Sequence, residues 1–204
     1  MKKIILALPA MAVISTGALA GGIDAAPYIS AKGGVSVATW DNAAMSPNGF
    51  SMLGAFGARI KTDAVNMRGE FEFSFSNLSD TKNNDFWPFF LETIDNNHKT
   101  QAYLANFYVD FLEEYRLKPY IGLGLGMVRI KETVGINYFE PGMFTSEYYQ
   151  FSGSDSGLGW ALHGGFSFNF TDGLQGDVGA RYMLTNVGED VSMFTASAGL
   201  RYTF

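Results

Sequence analysis

The chain has no cysteine, so neither a disulfide framework nor a thiolate metal site can form. It has two histidines, which leaves little material for a transition-metal site or a base–nucleophile pair. Beyond the first twenty residues no apolar run approaches the roughly 18 residues that a membrane-crossing helix needs. Cations are in the minority. Setting aside Lys2 and Lys3, the 14 Lys and Arg fall to 12 against 20 Asp and Glu, a net of −8. Such a surface argues against a nucleic-acid partner. Aromatics, at 15%, and glycine, at 24 residues, are plentiful instead. That combination, without a long apolar run, is what alternating strands with one lipid-facing side require.

Lys2 and Lys3 precede an apolar stretch from Ile4 to Ile14, interrupted by Pro9, and Ala18-Leu19-Ala20 lies just before Gly21. A positive start, a short apolar run and an A-x-A site read as a secretory signal peptide over residues 1–20, cleaved after Ala20. Residues 21–204 then fit one domain.

The segment Ser197 to Phe204, SAGLRYTF, alternates strictly: Leu200, Tyr202 and Phe204 on one face, Arg201 and Thr203 on the other. Period 2 is a strand, and its aromatics suit a membrane-interface girdle. The segment also resembles the C-terminal signal read by the outer-membrane barrel assembly machinery, with Ser197, Gly199, Tyr202 and Phe204 at its fixed places.

Seven more segments carry the same period. They are Tyr28 to Thr39, Phe50 to Ile60, Val65 to Ser76, Gln101 to Phe111, Tyr120 to Ile130, Gly157 to Phe170 and Leu174 to Leu184; the eighth is Ser192 to Phe204. The third is the clearest. Phe71, Phe73 and Phe75 share one face, and Arg68, Glu70, Glu72, Ser74 and Ser76 the other, whereas a helix would scatter the three charges around its axis. Eight strands of this length fit a tilted bilayer crossing, and the count is even.

The expected fold is therefore all-β: an eight-stranded antiparallel up-and-down transmembrane β-barrel, closed because lipid cannot partner the N–H and C=O groups of a sheet edge. Short connections (61–64, 112–119, 171–173) alternate with long ones (41–49, 77–100, 131–156), and 186–191 is short but polar; this is the pattern of short periplasmic turns and longer external loops. A soluble eight-stranded barrel would invert the faces. Charge argues for the membrane form: Arg68, Glu70, Glu72, Asp110, Asp177, Arg181 and Arg201 share the non-aromatic face, where a narrow lumen lets them pair.

The segments AAPYISAKGGVS, KPYIGLGLG, GDVGARY and ASAGLRYTF, together with Asn106 and Asp110, resemble the opacity-protein/OmpA-like family of eight-stranded outer-membrane barrels over residues 25–204. The resemblance implies a porin-like surface antigen or adhesin of a Gram-negative outer membrane, acting in adhesion, envelope integrity or immune exposure. It implies outer-membrane lipid and the barrel assembly machinery as partners, and a host or envelope protein met through the loops.

The inward charges, Arg59, Arg68, Glu70, Glu72, Asp110, Asp177, Arg181 and Arg201, are the one constellation with chemistry. They read either as a polar pore or proton path, or as an ion-pair network that fills the lumen. Arg59, Arg68, Glu70, Glu72 and Asp110 are expected to meet across neighbouring strands. Arg68 is expected to pair with the adjacent carboxylates, and Asp177 and Arg181 to lie beside Arg201. His98, in NNHKT, reads as a solvated loop residue, and His163 as an inward structural hydrogen-bonder. His163 and Ser167 are four residues apart on one strand, too far for a catalytic contact. The glycines of GLGLG alternate along a strand and make no phosphate loop. No catalytic residue, metal or cofactor is expected, and the protein reads as non-enzymatic.

The loops hold Phe86, Trp87, Phe89, Phe90, Tyr148 and Tyr149 among acidic residues. These aromatics read equally as contacts for a partner protein or as strands that extend past the membrane. Two functions stay open: a structural or adhesive surface barrel, and a small diffusion pore.

Overall fold

The computed structural model describes residues 24–40, 46–61, 66–86, 90–111, 116–140, 145–187 and 189–204; residues 1–20, expected from the sequence to be a signal peptide, lie outside them. Eight strands follow one another: β1 (Asp24–Trp40), β2 (Asn48–Lys61), β3 (Asn66–Phe86), β4 (Phe90–Asp110), β5 (Leu117–Glu140), β6 (Thr145–Asn169), β7 (Leu174–Val187) and β8 (Glu189–Thr203). Each pairs antiparallel with its sequence neighbours, and β8 closes on β1 from Tyr28↔Thr203 to Trp40↔Val191. Closure leaves no edge within the ring, which is what a bilayer demands.

The alternation sorts the faces. Odd residues of β1 and β3 point outward, and Val35, Phe71, Phe73, Leu123, Leu125, Phe166 and Phe194 are exposed apolar side chains around the wall. An apolar belt of this kind is stable only against lipid. The wall is therefore a lipid-facing one, and the inverted soluble arrangement is set aside.

Strand lengths depart from the sequence expectation. β3 and β4 stay paired to Phe86↔Phe90, and β5 and β6 to Glu140↔Thr145. Most of 77–100 and 131–156 is therefore strand, not loop. β4 and β5 also remain paired out to Leu91↔Phe139, so these four strands rise together from the barrel as one sheet. Beyond the apolar belt the outer face turns polar, and the inner face buries polar side chains such as Asn96 and His98, so the period-2 apolar signal fades while the backbone ladder continues.

β2 leaves β3 after Asn48↔Ser79, and β6 meets β7 only from Gly159↔Thr185. The sheet thus has two free borders. The longer is β6 from Thr145 to Ser156, which has no paired strand on its β7 side among the described residues; at Gly157 and Leu158 the backbone still lies against Asn186 and Thr185.

Candidate functional site

The lumen is filled in layers. At the end near the β2–β3 connection, inward strand positions supply charge. Arg68 donates from Nε to Asp110 Oδ2 at 2.8 Å, with its guanidinium 4.7 Å from the Tyr108 ring and 4.9 Å from that of Tyr120. Glu70 accepts hydroxyl hydrogen bonds from Tyr28 and Tyr108, each 2.8 Å, and one from Asn106 at 3.3 Å. Glu72 takes Arg181 Nη1 at 2.6 Å. Asp177 Oδ1 accepts from Ser167 at 2.7 Å and from Arg201 at 3.2 Å. Cationic, anionic and phenolic groups thus interleave, each of these charges held by a partner of opposite sign or by hydroxyl and amide donors. A buried charge is stable only on that condition.

Arg68 does not pair with Glu70 or Glu72. It turns sideways to Asp110 on β4, where the neighbouring-strand distance suits it better than the two-residue step along its own strand. Asp177 does meet Arg201, but Arg181 crosses to Glu72 instead. Arg59 enters no ion pair among the described residues: it faces Arg68 in register, like charge to like, and its Nε is buried without a hydrogen-bond partner.

Glycines make room for this layer. Gly122 stands opposite Tyr108 and Gly124 opposite Asn106. A Cβ on Gly122 would lie 2.3 Å from the Tyr108 ring. The run GLGLG therefore packs a lumen and cradles no ligand.

Above the charges sits a hydroxyl chain, Thr195–Ser36–Ser51–Ser76, running across β8, β1, β2 and β3. Above that the lumen becomes apolar. Ala38, Leu78, Ala102, Leu104, Val128, Ala161, Met183, Val187, Val191 and Met193 form one buried cluster, with Trp40 and Ile130 against it. Alternation had marked the inward positions but not this plug. Its one sequence signal is that alternation lapses toward the long-hairpin ends, where Leu78, Val128 and Met183 put apolar side chains on the polar face.

His98 caps the plug. It is 6% exposed, paired with Leu78 in register, and its ring lies 4.5 Å from that of Trp40. The reading of His98 as a solvated loop residue is corrected: NNHKT is paired strand, and the inward parity of β4 carries His98 into the mouth. Burial holds its imidazole below the ordinary value, while Glu132 and Asp80 pull the other way. His163 lies deeper and meets the Tyr108 hydroxyl at 3.4 Å through Nδ1. Ser167 is engaged by Asp177 and Arg201, not by His163.

Of the loop aromatics, Tyr148 and Tyr149 lie on the projecting part of β6 and are exposed. Phe86 and Phe90 face each other across the β3–β4 hairpin in backbone register, and their side chains lie outside the described residues, as do Trp87 and Phe89 entirely. At the C-terminal strand, Tyr202 and Phe204 stack edge to face at 5.2 Å on the outer wall. Ser197 and Gly199 point inward, and a Cβ on Gly199 would strike the Ala31 carbonyl oxygen. No group of three His, Asp or Glu among the described residues is placed to hold a metal.

The description "outer membrane protein beta-barrel domain" fits residues 6–204 as a family match. Among solved structures, Neisserial surface protein A is similar with a TM-score of 0.59 at 19% identity, covering 89% of this chain and 99% of that one. Ail, the attachment invasion locus protein of Yersinia pestis, gives 0.48 at 20% identity over 89% and 99%. The outer membrane enzyme PagL gives 0.44 at 12% identity over 86% and 98%. Likeness at these identities is one of fold. No curated protein matches the sequence.

Proposed function

The chain belongs to the outer membrane protein β-barrel domain family, and from that premise we propose that it is a non-enzymatic surface protein that adheres through its projecting sheet. The observation that carries this reading is the free border of β6. From Tyr148 to Ser156 every residue is exposed, and the segment holds no Lys, Arg or Pro to blunt it. An unpaired strand edge offers backbone donors and acceptors to an extended partner segment. Tyr148, Tyr149 and Phe151 supply aromatic anchors beside it.

In this reading residues 1–20 are the secretory leader and both ends of residues 21–204 face the periplasm, so that the long hairpins stand outside. Ser197, Gly199, Tyr202 and Phe204 serve as the assembly signal. A host or envelope protein is the partner class. A diffusion pore, the second reading, finds little support in a lumen closed by ion pairs below and an apolar cluster above.

The test compares intact cells carrying the wild-type barrel with cells in which residues 131–156 are replaced by a tight turn. A second variant, Ser152→Lys with Ser154→Lys, blunts the edge and leaves the hairpin in place. Retention of cells on surfaces coated with matrix proteins is expected to fall in both, with heat-modifiable mobility on gels unchanged. Undiminished retention in both would remove the adhesive role.

A further inference from the structure

β6 outruns β7, and the fork between them opens a groove of about 470 Å³ on the outer wall of the barrel. One row of outward residues crosses it through paired positions: Leu125 on β5, Trp160 on β6, Leu184 on β7 and Ser192 on β8. Tyr182 lies one outward step toward the barrel middle. Asn186 and Asp190, paired across the β7–β8 hairpin, lie one step toward the mouth. The lining therefore grades from aliphatic and aromatic at the belt to amide, carboxylate and hydroxyl at its edge. Trp160 and Tyr182 are 49% and 41% exposed, so both rings present surface to an occupant.

We propose that this groove binds a single lipid whose headgroup is an uncharged sugar. The acyl chain lies along Leu125, Leu184 and Tyr182, in the lipid belt where its burial carries no polar penalty. The apolar C–H face of a sugar ring stacks on Trp160, an interfacial ring with an apolar body. Vicinal hydroxyls then donate to the Asp190 carboxylate and exchange hydrogen bonds with Asn186 and Ser192, groups that offer both acceptors and donors. Among the described residues lining the groove none is cationic. A phosphate headgroup would find no charge partner there and would meet Asp190, so the site selects against anionic phospholipid. The volume lies within the range of small-molecule sites. The inference depends on the barrel standing in a bilayer, and not on the adhesive reading of the β6 edge.

The test reconstitutes the full barrel in nanodiscs of phosphatidylcholine. These contain equal amounts of monoglucosyl diacylglycerol, phosphatidylglycerol and phosphatidylethanolamine, and native mass spectrometry reads the lipid retained after the disc is stripped. Nanodiscs offer each lipid to both ends of the barrel, so the outcome does not depend on which end faces outward in the cell. The glucosyl lipid is expected to be retained about tenfold over phosphatidylglycerol. Asp190→Ala and Trp160→Leu are each expected to bring the ratio close to one, while Phe71→Leu, on the wall away from the fork, leaves it unchanged. If Trp160→Leu does not fold, Asn186→Ala combined with Asp190→Ala carries the same comparison. Equal retention of the three lipids would overturn the proposal, as would a preference that survives both variants. Preferential retention of phosphatidylethanolamine would also overturn it, because the carboxylate would then be reading an ammonium group.

Discussion

Arg181 on β7 reaches across the lumen to Glu72 on β3, Nη1 to Oε1 at 2.6 Å, although the two strands stand opposite each other in the ring. Both side chains are almost wholly buried, and Ser74 accepts a second hydrogen bond from the same nitrogen at 3.1 Å. Pairing between neighbouring strands shapes a wall. A pair across the diameter is a strut that fixes the spacing of opposite walls and occupies the path a solute would take.

Arg181→Ala is expected to lower stability by about 3–5 kcal/mol, less where lumen water reaches Glu72, because it strands a buried carboxylate. Glu72→Leu combined with Arg181→Met should recover most of that loss. Urea midpoints of the barrel in lipid vesicles give the comparison. Equal losses in the single and double variants would show that the strut is not what the single variant breaks.

Small residues opposite large ones set a second expectation. Gly122→Ala places a methyl 2.3 Å from Cδ1 of the Tyr108 ring, whereas a Cβ on Gly69 meets nothing within 4 Å. Overpacking of this kind costs about 1–3 kcal/mol. Gly122→Ala should therefore unfold at lower urea than wild type, and Gly69→Ala at nearly the same concentration. The order reversed would mean that the lumen yields more easily than its packing implies.

His98 gives the mouth a pH dependence. At its level on β4 the neighbouring side chains Asn97 and Lys99 point outward and are polar, so it lies beyond the lipid belt. Burial favours the neutral ring, and the opposing carboxylates Glu132 and Asp80 only partly offset it; Asp155 lines the same small pocket. The folded state therefore binds the proton less readily than the unfolded chain. Stability is full above the ordinary value of 6.5 and falls as pH drops below it. The melting temperature of the wild type should fall more than that of His98→Phe between about pH 8 and about pH 5. Parallel curves for the two would exclude His98 as the titrating group.

Eight strands and their two faces were legible because lipid and lumen impose opposite demands on successive residues. That demand stops where the bilayer stops. The polar runs Asp80–Asp85 and Glu92–Asn97 look like loop, yet backbone pairing holds both as strand, and the reading of His98 as a loop residue fails for the same reason. The apolar plug was illegible for a different cause: Val128 and Met183 are apolar residues on the polar face, and parity says where they point but not what they meet. The inward charges could be placed on their face but not partnered. Arg68 faces Glu70 and Glu72 as readily as Asp110 in a one-dimensional reading, and the Arg181–Glu72 strut depends on barrel stagger, which no local pattern encodes.

The segment containing Tyr202 and Phe204 carries an expectation about assembly. The two rings stack on the outer wall at 69% exposure for Phe204, so losing one removes at most about 1.5–3 kcal/mol of lipid burial. Phe204→Ser should lower the amount of protein in the outer membrane far more than it lowers the urea midpoint of barrel already folded. Normal outer-membrane levels would mean that the segment is not read as a signal.

The central claim is that the barrel is filled and that its function lies on its outer surfaces. Single-channel recording of the wild-type barrel in a planar lipid bilayer tests it most directly. With Arg181 and Glu72 bridging the lumen and Leu78, Val128, Met183 and Met193 packed above them, the account predicts a quiet bilayer with no steady open level. A steady channel on the nanosiemens scale would contradict it and give the protein to the pore reading.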